Sequence, residues 1–183
     1  MGRRKRLLID GDIPLYSIAF SVEEPVDWGD DFWTLHADMA TAREAMLIWM
    51  DKVCEFTNTK QVLVALSSSN NWRRQMEPTY KANRDGRRKP VVYNPLKDFI
   101  RQRWETLEYP RLEADDVLGL LSNDLDIIVS TDKDLLGVPG RHFNPSKPEE
   151  GIKRVTEKQA YYFHMIQTLT GDTVDNYKGC PGV

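Results

Sequence analysis

Three short runs of apolar residues predict three buried strands. The runs are RLLID at 6–10, QVLVAL at 61–66 and DIIVS at 126–130. Each run is continuous, whereas a strand with one solvated face alternates apolar and polar positions. Continuous runs are typical of strands in a parallel sheet, because such a sheet is covered on both faces.

Apolar residues recur at helical spacing between these runs. The pattern predicts a long amphipathic helix over 37–56 and shorter helices over 13–21, 95–104, 113–121 and 156–169. Thr156 and Gln159 form a capping-box pattern at the start of the last helix. The acidic and aromatic segment 23–33 is predicted to be a loop. Because strands alternate with helices, the pattern favours an α/β fold with a largely parallel sheet.

The composition excludes several classes of protein. The chain has 183 residues, of which 40% are hydrophobic and 29% charged, as is usual for one globular domain. No apolar run approaches the roughly 18 residues of a membrane span, and none resembles a signal peptide. Cys54 and Cys180 match no disulfide or zinc pattern, so we expect a reducing, cytoplasmic setting. His36, His142 and His164 match no catalytic motif.

Charge is unevenly distributed along the chain. The net charge is −3, but residues 73–103 contain ten basic and three acidic residues. This segment therefore carries a charge of +7, and the rest of the chain carries −10. A strongly basic segment within an otherwise acidic chain favours a protein that binds a polyanion on one side and cations on the other.

Carboxylates cluster at four places, which are Asp10 with Asp12, Glu113 with Asp115 and Asp116, Asp132 with Asp134, and Asp172 with Asp175. Any one of them alone is typical of a solvated loop or a helix cap. Ligands of open α/β sheets, however, bind at the carboxyl ends of strands, where two of these groups fall. Carboxylates gathered there repel one another unless cations lie between them, and hard oxygen ligands select Mg²⁺ or Mn²⁺. Two such ions form an arrangement that hydrolyses phosphodiesters.

The basic segment places cations beside aromatic residues, as WRR at 72–74 and YKANR at 80–84. This mixture is typical of surfaces that neutralise phosphates and stack on bases. A charge run taken alone fits a solvated face better. Opposite a carboxylate cluster, it favours a surface that guides nucleic acid to bound metal.

Five segments together resemble a known family. They are IDGD at 9–12, NWR at 71–73 with YKANR at 80–84, LEADDV at 112–117, STDKD at 130–134 and GDTVD at 171–175. In this order they resemble the 5′→3′ exonucleases of the flap-endonuclease family, most closely the replication exonucleases of podoviral phages. The resemblance implies a PIN-like, Rossmann-like nuclease core over residues 1–170, with a mixed, largely parallel sheet and a basic helical arch at about 72–93.

The resemblance also implies roles for individual residues. The first metal ion corresponds to Asp10, Glu113 and Asp115, with Asp116 close by, and the second to Asp132, Asp134, Asp172 and Asp175. Lys81 and Arg84 match arch residues that contact the scissile phosphate, so they join Asp10, Glu113, Asp115, Asp132 and Asp134 as expected catalytic residues. The expected substrate-binding residues are Arg73, Arg74, Tyr80, Arg87 and Arg88.

The chain departs from the family pattern at two places. Ser68 stands where the family has an aspartate after the second strand, and a serine supplies no charge to the first metal. Residues 171–183 match the start of a helix-hairpin-helix element, which in the family binds duplex DNA and a K⁺ ion. We expect this element to be truncated, the chain beyond about Asn176 to be poorly ordered, and the chain to be a fragment.

The resemblance implies a metal-dependent 5′→3′ exonuclease or flap endonuclease that uses two Mg²⁺ or Mn²⁺ ions. Its expected substrates are 5′ ends or flaps of DNA, or RNA:DNA, during replication. We expect a monomer that acts without a membrane in the host cytoplasm. One alternative is a DNA-binding module of the same fold that does not cleave, which Ser68 favours. Another is a PIN-type ribonuclease, although that leaves the motif at 72–84 without a role.

Overall fold

A six-stranded sheet forms the centre of the computed structural model, which describes residues 5–182. In spatial order its strands are β5 (Glu105–Leu107), β4 (Val62–Ala65), β1 (Leu7–Asp10), β6 (Ile127–Val129), β7 (Gly140–Phe143) and β8 (Ile152–Val155). The first five are parallel, and β8 runs antiparallel to β7. The mixed, largely parallel sheet is therefore confirmed.

Helices cover both faces of this sheet. They are α1 (Asp12–Ser21), α2 (Met39–Thr57), α3 (Trp72–Met76), α4 (Tyr93–Arg103), α5 (Ala114–Leu121) and α6 (Glu157–Thr170). Leu7 and Ile9 of β1 face the core formed with α1, α2 and α4, whereas Leu8 faces the core formed with α5. All three residues are fully buried, which explains the continuous apolar run of β1. Within residues 5–182, no helix is both long and apolar enough to cross a membrane.

The segment 23–33 is not the predicted loop. It belongs to an antiparallel hairpin of β2 (Glu23–Asp27) and β3 (Trp33–Ala37). Both strands are largely exposed, so they lack the burial pattern that identifies a strand in a sequence. The predicted helices and their capping box are confirmed, with ends shifted by one or two residues.

The end of the chain has defined partners. Strand β9 (Gly171–Asp172) pairs with β10 (Tyr177–Lys178), and the Cys180 N–H donates to the Leu169 carbonyl at 2.8 Å. A side chain at Gly179 would overlap that same carbonyl, so this close approach requires glycine. The prediction that the chain loses order beyond Asn176 is therefore wrong for residues 177–180.

Candidate metal and nucleic-acid site

The ends of β1 and β4 meet at one point of the sheet edge. The Gly11 N–H donates to the Ala65 carbonyl at 2.9 Å, and a Cβ at Gly11 would overlap Val64 and Ala65. Only glycine allows the two strand ends to lie this close. The residues on either side of Gly11, Asp10 and Asp12, are thereby placed at the carboxyl edge of the sheet.

The turn after β6 brings two more aspartates to this edge. The Ser130 hydroxyl donates to Asp10 at 2.9 Å and accepts from the Asp132 N–H at 3.0 Å. Asp132 in turn accepts from the Asp134 N–H at 2.9 Å. One carboxylate oxygen of Asp134 is buried and has no hydrogen-bond partner within residues 5–182. A buried oxygen of this kind is a free ligand position.

The start of α5 contributes a further acidic group. Glu113 and Asp116 form a reciprocal capping box there, and Asp115 lies in the first turn. The Ala114 N–H donates to the Ser67 hydroxyl at 2.9 Å, which ties this helix end to the end of β4. Three elements, β1, β6 and α5, therefore present their acids to the same space.

Three carboxylates of this site have raised pKa values. Burial, followed by the charge of Asp12, raises the pKa of Asp10 from 3.8 to about 7. Burial, followed by Glu113, raises that of Asp115 to about 6. The pKa of Asp134 is also raised, first by burial and then by the charge of Asp132. Burial is the largest cause of each shift, because it disfavours the charged form of a carboxylate.

Two other carboxylates of the site, those of Glu113 and Asp175, are paired with cations of the basic segment. The Lys81 ammonium lies 2.8 Å from Glu113 and 3.5 Å from Asp175. The Arg84 guanidinium lies 3.0 Å from Asp175. The Tyr80 hydroxyl donates to Glu113 at 2.8 Å and to Asp175 at 3.1 Å. These contacts join residues that lie more than thirty positions apart in the sequence.

A bidentate pair anchors the start of the basic segment. Arg73 donates two hydrogen bonds of 2.7 Å to Asp116 and lies 3.3 Å from Glu113. Burial alone would raise the pKa values of Glu113 and Asp116, but Lys81 and Arg73 respectively outweigh it. The pKa values of both carboxyls are therefore lowered.

Two adjoining cavities contain these groups. The inner one has a volume of about 310 Å³ and is lined by Asp10, Asp12, Ser67, Lys81, Arg84, Glu113, Asp115 and Asp132, among others. The outer one, of about 570 Å³, is lined by Trp72, Arg73, Tyr80, Asp115, Asp134, His164, Asp172, Asp175 and Tyr177, among others. Asp115 lines both cavities, so they adjoin at this residue, and the two together are called the cleft below.

The chain is similar to a family of nucleases. Residues 5–164 match the family model described as 5′-3′ exonuclease, N-terminal resolvase-like domain. The chain belongs to this family. The exodeoxyribonuclease of Enterobacteria phage T3 is 30% identical over 192 residues, and the exonuclease of Escherichia phage T7 is 31% identical over 192 residues. Each alignment covers 96% of this chain, which spans 62% of the T3 protein and 63% of the T7 protein.

Solved structures share the fold of this 5′-3′ exonuclease family member. A bacteriophage T5 5′-exonuclease with divalent metal ions (zinc) bound has a TM-score of 0.68 at 17% identity, covering 98% of this chain and 71% of that chain. A T5 flap endonuclease complex with DNA and metal ions has a TM-score of 0.66 at 16% identity, with the same coverage. The catalytic core of Rad2 with DNA substrate has a TM-score of 0.57 at 12% identity, covering 98% and 58%. The PIN-type fold implied by the sequence motifs is therefore confirmed.

The structure brings most of the predicted site residues of this exonuclease-family chain into the cleft, but not all of them. Arg88 makes two hydrogen bonds, of 2.7 and 2.6 Å, with Glu23 of the hairpin. Arg74 binds Asp85 within the basic segment at 2.7 Å. Arg87 lines an outer groove next to the cleft. The expected arch contains only α3 and a single turn of 3₁₀-helix at Ala82–Arg84.

Two residues lie in the cleft although the motifs assign them no role. Asp12 lines the inner cavity, and His164 of α6 lines the outer one beside Asp134. The sequence contains a signal for Asp12, which stands two positions after the end of a buried strand. It contains none for His164, since the position of α6 relative to β6 depends on the tertiary fold.

The donor set fits a hard divalent cation. It consists of carboxylate oxygens, and the partnerless oxygen of Asp134 is available to a ligand. Within residues 5–182, no three acidic, histidine or cysteine side chains converge closely enough to hold a metal ion as they stand. In this arrangement Lys81 is paired with Glu113 and, with Arg84, with Asp175.

Proposed function

We propose that this chain carries a metal-dependent nuclease that hydrolyses DNA from 5′ ends or flaps. One observation carries the proposal: carboxylates from three elements and cations from the basic segment line the same cleft. Carboxylates alone repel a phosphate, and cations alone bind it without reaction. The combination neutralises a phosphodiester on one side and holds divalent ions on the other.

Two groups of residues would hold Mg²⁺ or Mn²⁺. Asp10, Glu113 and Asp115, with Asp116 nearby, suit one ion, and Asp132, Asp134, Asp172 and Asp175 suit the other. The charges of Asp132, Asp172 and Asp175 all raise the pKa of Asp134, which supports the second grouping. When bound, such ions lower the pKa of a water molecule and stabilise the leaving oxygen of a phosphodiester.

The basic segment supplies the groups that bind and orient the phosphate. Lys81 and Arg84 line the inner cavity, so each reaches the space where the scissile phosphate would lie. Both are paired with carboxylates here, Lys81 with Glu113 and Asp175 and Arg84 with Asp175, and they would be available to the phosphate if these acids held metal ions instead. Arg73, in contrast, fixes the start of the basic segment against α5 through its bidentate pair with Asp116. Tyr80 holds Glu113 and Asp175 in place through its hydroxyl.

Several finer features follow from the family relationship. The T3 and T7 relatives support a phage exonuclease. We propose in addition that the enzyme acts in replication, as a monomer in the host cytoplasm. DNA is the substrate named for solved structures of the same fold. RNA:DNA is the second substrate to test. Residues 171–183 would begin a helix-hairpin-helix element, with K⁺ as its ligand.

A cleavage assay tests this proposal. The chain is incubated with a 5′-labelled DNA duplex, a 5′-flap substrate and an RNA:DNA hybrid at increasing Mg²⁺ or Mn²⁺ concentration. We expect metal-dependent release of short 5′ products, and none from Asp134→Asn, which keeps the shape of the side chain. Cleavage that needs no divalent ion, or that survives Asp134→Asn at full rate, would contradict the proposal.

The second candidate function is DNA binding without cleavage. It is favoured by Ser68, whose hydroxyl accepts from the Asn70 N–H at 3.4 Å and adds no charge to the cleft. The same assay separates the two functions, because a binding module shifts the DNA in a gel yet leaves it intact at every metal concentration. Ser68→Asp should then create cleavage where the unchanged chain has none.

A further inference from the structure

Asp12 lies at the corner of the cleft where β1 and β4 end. It is the first residue of α1, and its carboxylate oxygens lie 3.2 and 3.4 Å from the Ser67 nitrogen, which donates to them. The same side chain lines the inner cavity together with Asp10, Glu113 and Asp115. Its carboxylate is therefore shared between the end of β4 and the space assigned to the first metal ion.

The end of β4 brings no charge of its own to this corner. The Ser67 hydroxyl accepts from the Ala114 N–H, and the Ser67 carbonyl accepts from Lys97 at 3.2 Å. The Ser68 hydroxyl is turned to the Asn70 N–H. Backbone and hydroxyl groups thus hold the corner together, and Asp12 is the acid that gives it negative charge.

A purely structural role explains the position of Asp12 only in part. An acid in the first turn of a helix interacts favourably with the helix dipole. Yet within residues 5–182 Asp12 has no ion-pair partner within 4 Å, and Lys97 pairs with Glu108 instead. The dipole therefore explains why an acid stands at the start of α1, but not why its side chain lines the inner cavity beside Asp10, Glu113 and Asp115.

We propose that Asp12 is a positioning residue of the first metal site, supplying there the charge that Ser68 does not. This proposal rests on the proposed function. Asp12 accepts the Ser67 N–H with its carboxylate, which would also supply negative charge to a cation held in the inner cavity. By holding Ser67, it also fixes the start of α5, which carries Glu113 and Asp115.

Metal binding measured without DNA tests this role. Mn²⁺ binding to the chain is followed by electron paramagnetic resonance, and Asp12→Asn should weaken it by about tenfold or more. Asparagine still accepts the Ser67 N–H, so the fold and the melting temperature should change little. Asp12→Glu should restore most of the affinity, and Asp12→Asn with Ser68→Asp should restore part of it. Asp38→Asn, which removes an exposed acid but keeps a helix cap, should leave Mn²⁺ binding unchanged.

Each outcome has a defined meaning. Unchanged Mn²⁺ affinity in Asp12→Asn, with a clear loss in Asp10→Asn, would overturn the role of Asp12 and leave the proposed function intact. A loss in Asp12→Asn that neither restoring variant reverses would mean that charge is not what Asp12 supplies. A chain that binds no Mn²⁺ at all would overturn the proposed function and the role of Asp12 with it.

Discussion

The carboxylates of the cleft fall into two groups that differ in how their charge is compensated. The sheet-edge group comprises Asp10, Asp12, Asp115 and Asp134, all with raised pKa values. The arch-paired group comprises Glu113, Asp116 and Asp175, each in an ion pair with Arg73, Lys81 or Arg84. The protein thus neutralises the arch-paired group with its own cations. The sheet-edge group is left for a cation from solution.

The length of the basic side chains and the burial of the acids explain why only one group of carboxylates is paired with cations of the protein. Lysine and arginine side chains are long, so the exposed basic segment can reach acids at the mouth of the cleft. Asp10 is 8% exposed and lies behind them, at the end of the central strand. A buried carboxylate without a cation favours its protonated form. The sheet-edge group is therefore costly to ionise in the absence of metal, which is a property expected of a binding site rather than of a structural network.

The largest expected effect is on catalysis at the sheet edge. Asp10→Asn should lower the cleavage rate by about 1,000-fold or more, because it removes a buried charge from the metal-binding space. DNA affinity should stay within a few-fold, since Asp10 repels phosphate. Single-turnover cleavage and gel-shift titrations measure the two quantities separately.

The matched variant in the arch-paired group is Asp116→Asn. Its main effect should be on stability, because it leaves Arg73 half-buried without its bidentate partner. The melting temperature should fall, and the cleavage rate should fall less than in Asp10→Asn. Equal losses of rate in the two variants would show that the division into two groups has no functional meaning.

The next effect is a pH dependence of stability with opposite sign in the two groups. Without metal, the folded-state pKa of Asp10 is about 7 and its ordinary value 3.8, so the folded state retains a proton between these values. Asp10 therefore destabilises the fold progressively as pH rises, by a few kcal/mol above about pH 7. Asp10→Asn should raise the melting temperature more at pH 8 than at pH 5.

Glu113→Gln provides the contrast. The pKa of Glu113 is lowered, so its ion pair stabilises the fold above its ordinary pKa of 4.5, and this contribution is lost at lower pH. This variant should therefore lower the melting temperature at pH 7 and have less effect toward pH 4. Calorimetric melts of both variants across this range check the two signs. A parallel pH response in both would contradict the assignment of the groups.

Much of this arrangement could be predicted from the sequence, because it depends on local pattern. The strands β1, β4 and β6 are continuous apolar runs, Asp10 is the last residue of β1, and Asp132 stands three positions after β6. Strands β5, β7 and β8 were not predicted, since they are short and only Phe143 and His142 among them are buried. Of these, β5 and β8 are the edge strands of the sheet, and β7 lies between β6 and β8, so all three are recognised by their backbone partners rather than by their side chains.

The division of the carboxylates could not be predicted, because it depends on tertiary contacts. Lys81 and Glu113 are 32 positions apart, and Arg88 and Glu23 are 65 apart. Spacing along the chain contains no signal for either pair. The motif at 80–84 indicates that Lys81 is important, but only the structure shows that it pairs with an acid of the predicted metal site.

A smaller effect is expected at the boundary between the two groups. Lys81→Ala should slow cleavage by about 100-fold, since it removes a cation that stabilises charge on the phosphate. The same change should tighten Mn²⁺ binding a few-fold, because Lys81 competes with the metal for Glu113. Lys89→Ala, which removes a cation packed on the Tyr93 ring, is the control and should alter neither quantity strongly. Weaker Mn²⁺ binding in Lys81→Ala would contradict the competition.

The smallest effect separates two neighbouring arginines of the basic segment. Within residues 5–182, Arg87 has no ion-pair partner, so its charge is available to DNA outside the cleft, whereas Arg88 is occupied by Glu23. Arg87→Ala should weaken DNA binding a few-fold and reduce the slope of log affinity against log salt by about 1. Arg88→Ala should leave that slope nearly unchanged and lower the melting temperature only slightly, since an exposed ion pair contributes little to stability. Fluorescence anisotropy with labelled DNA at several salt concentrations measures both slopes. Equal slopes for the two variants would mean that Arg88 leaves Glu23 for the phosphate backbone when DNA binds, and that the hairpin is then released from the basic segment.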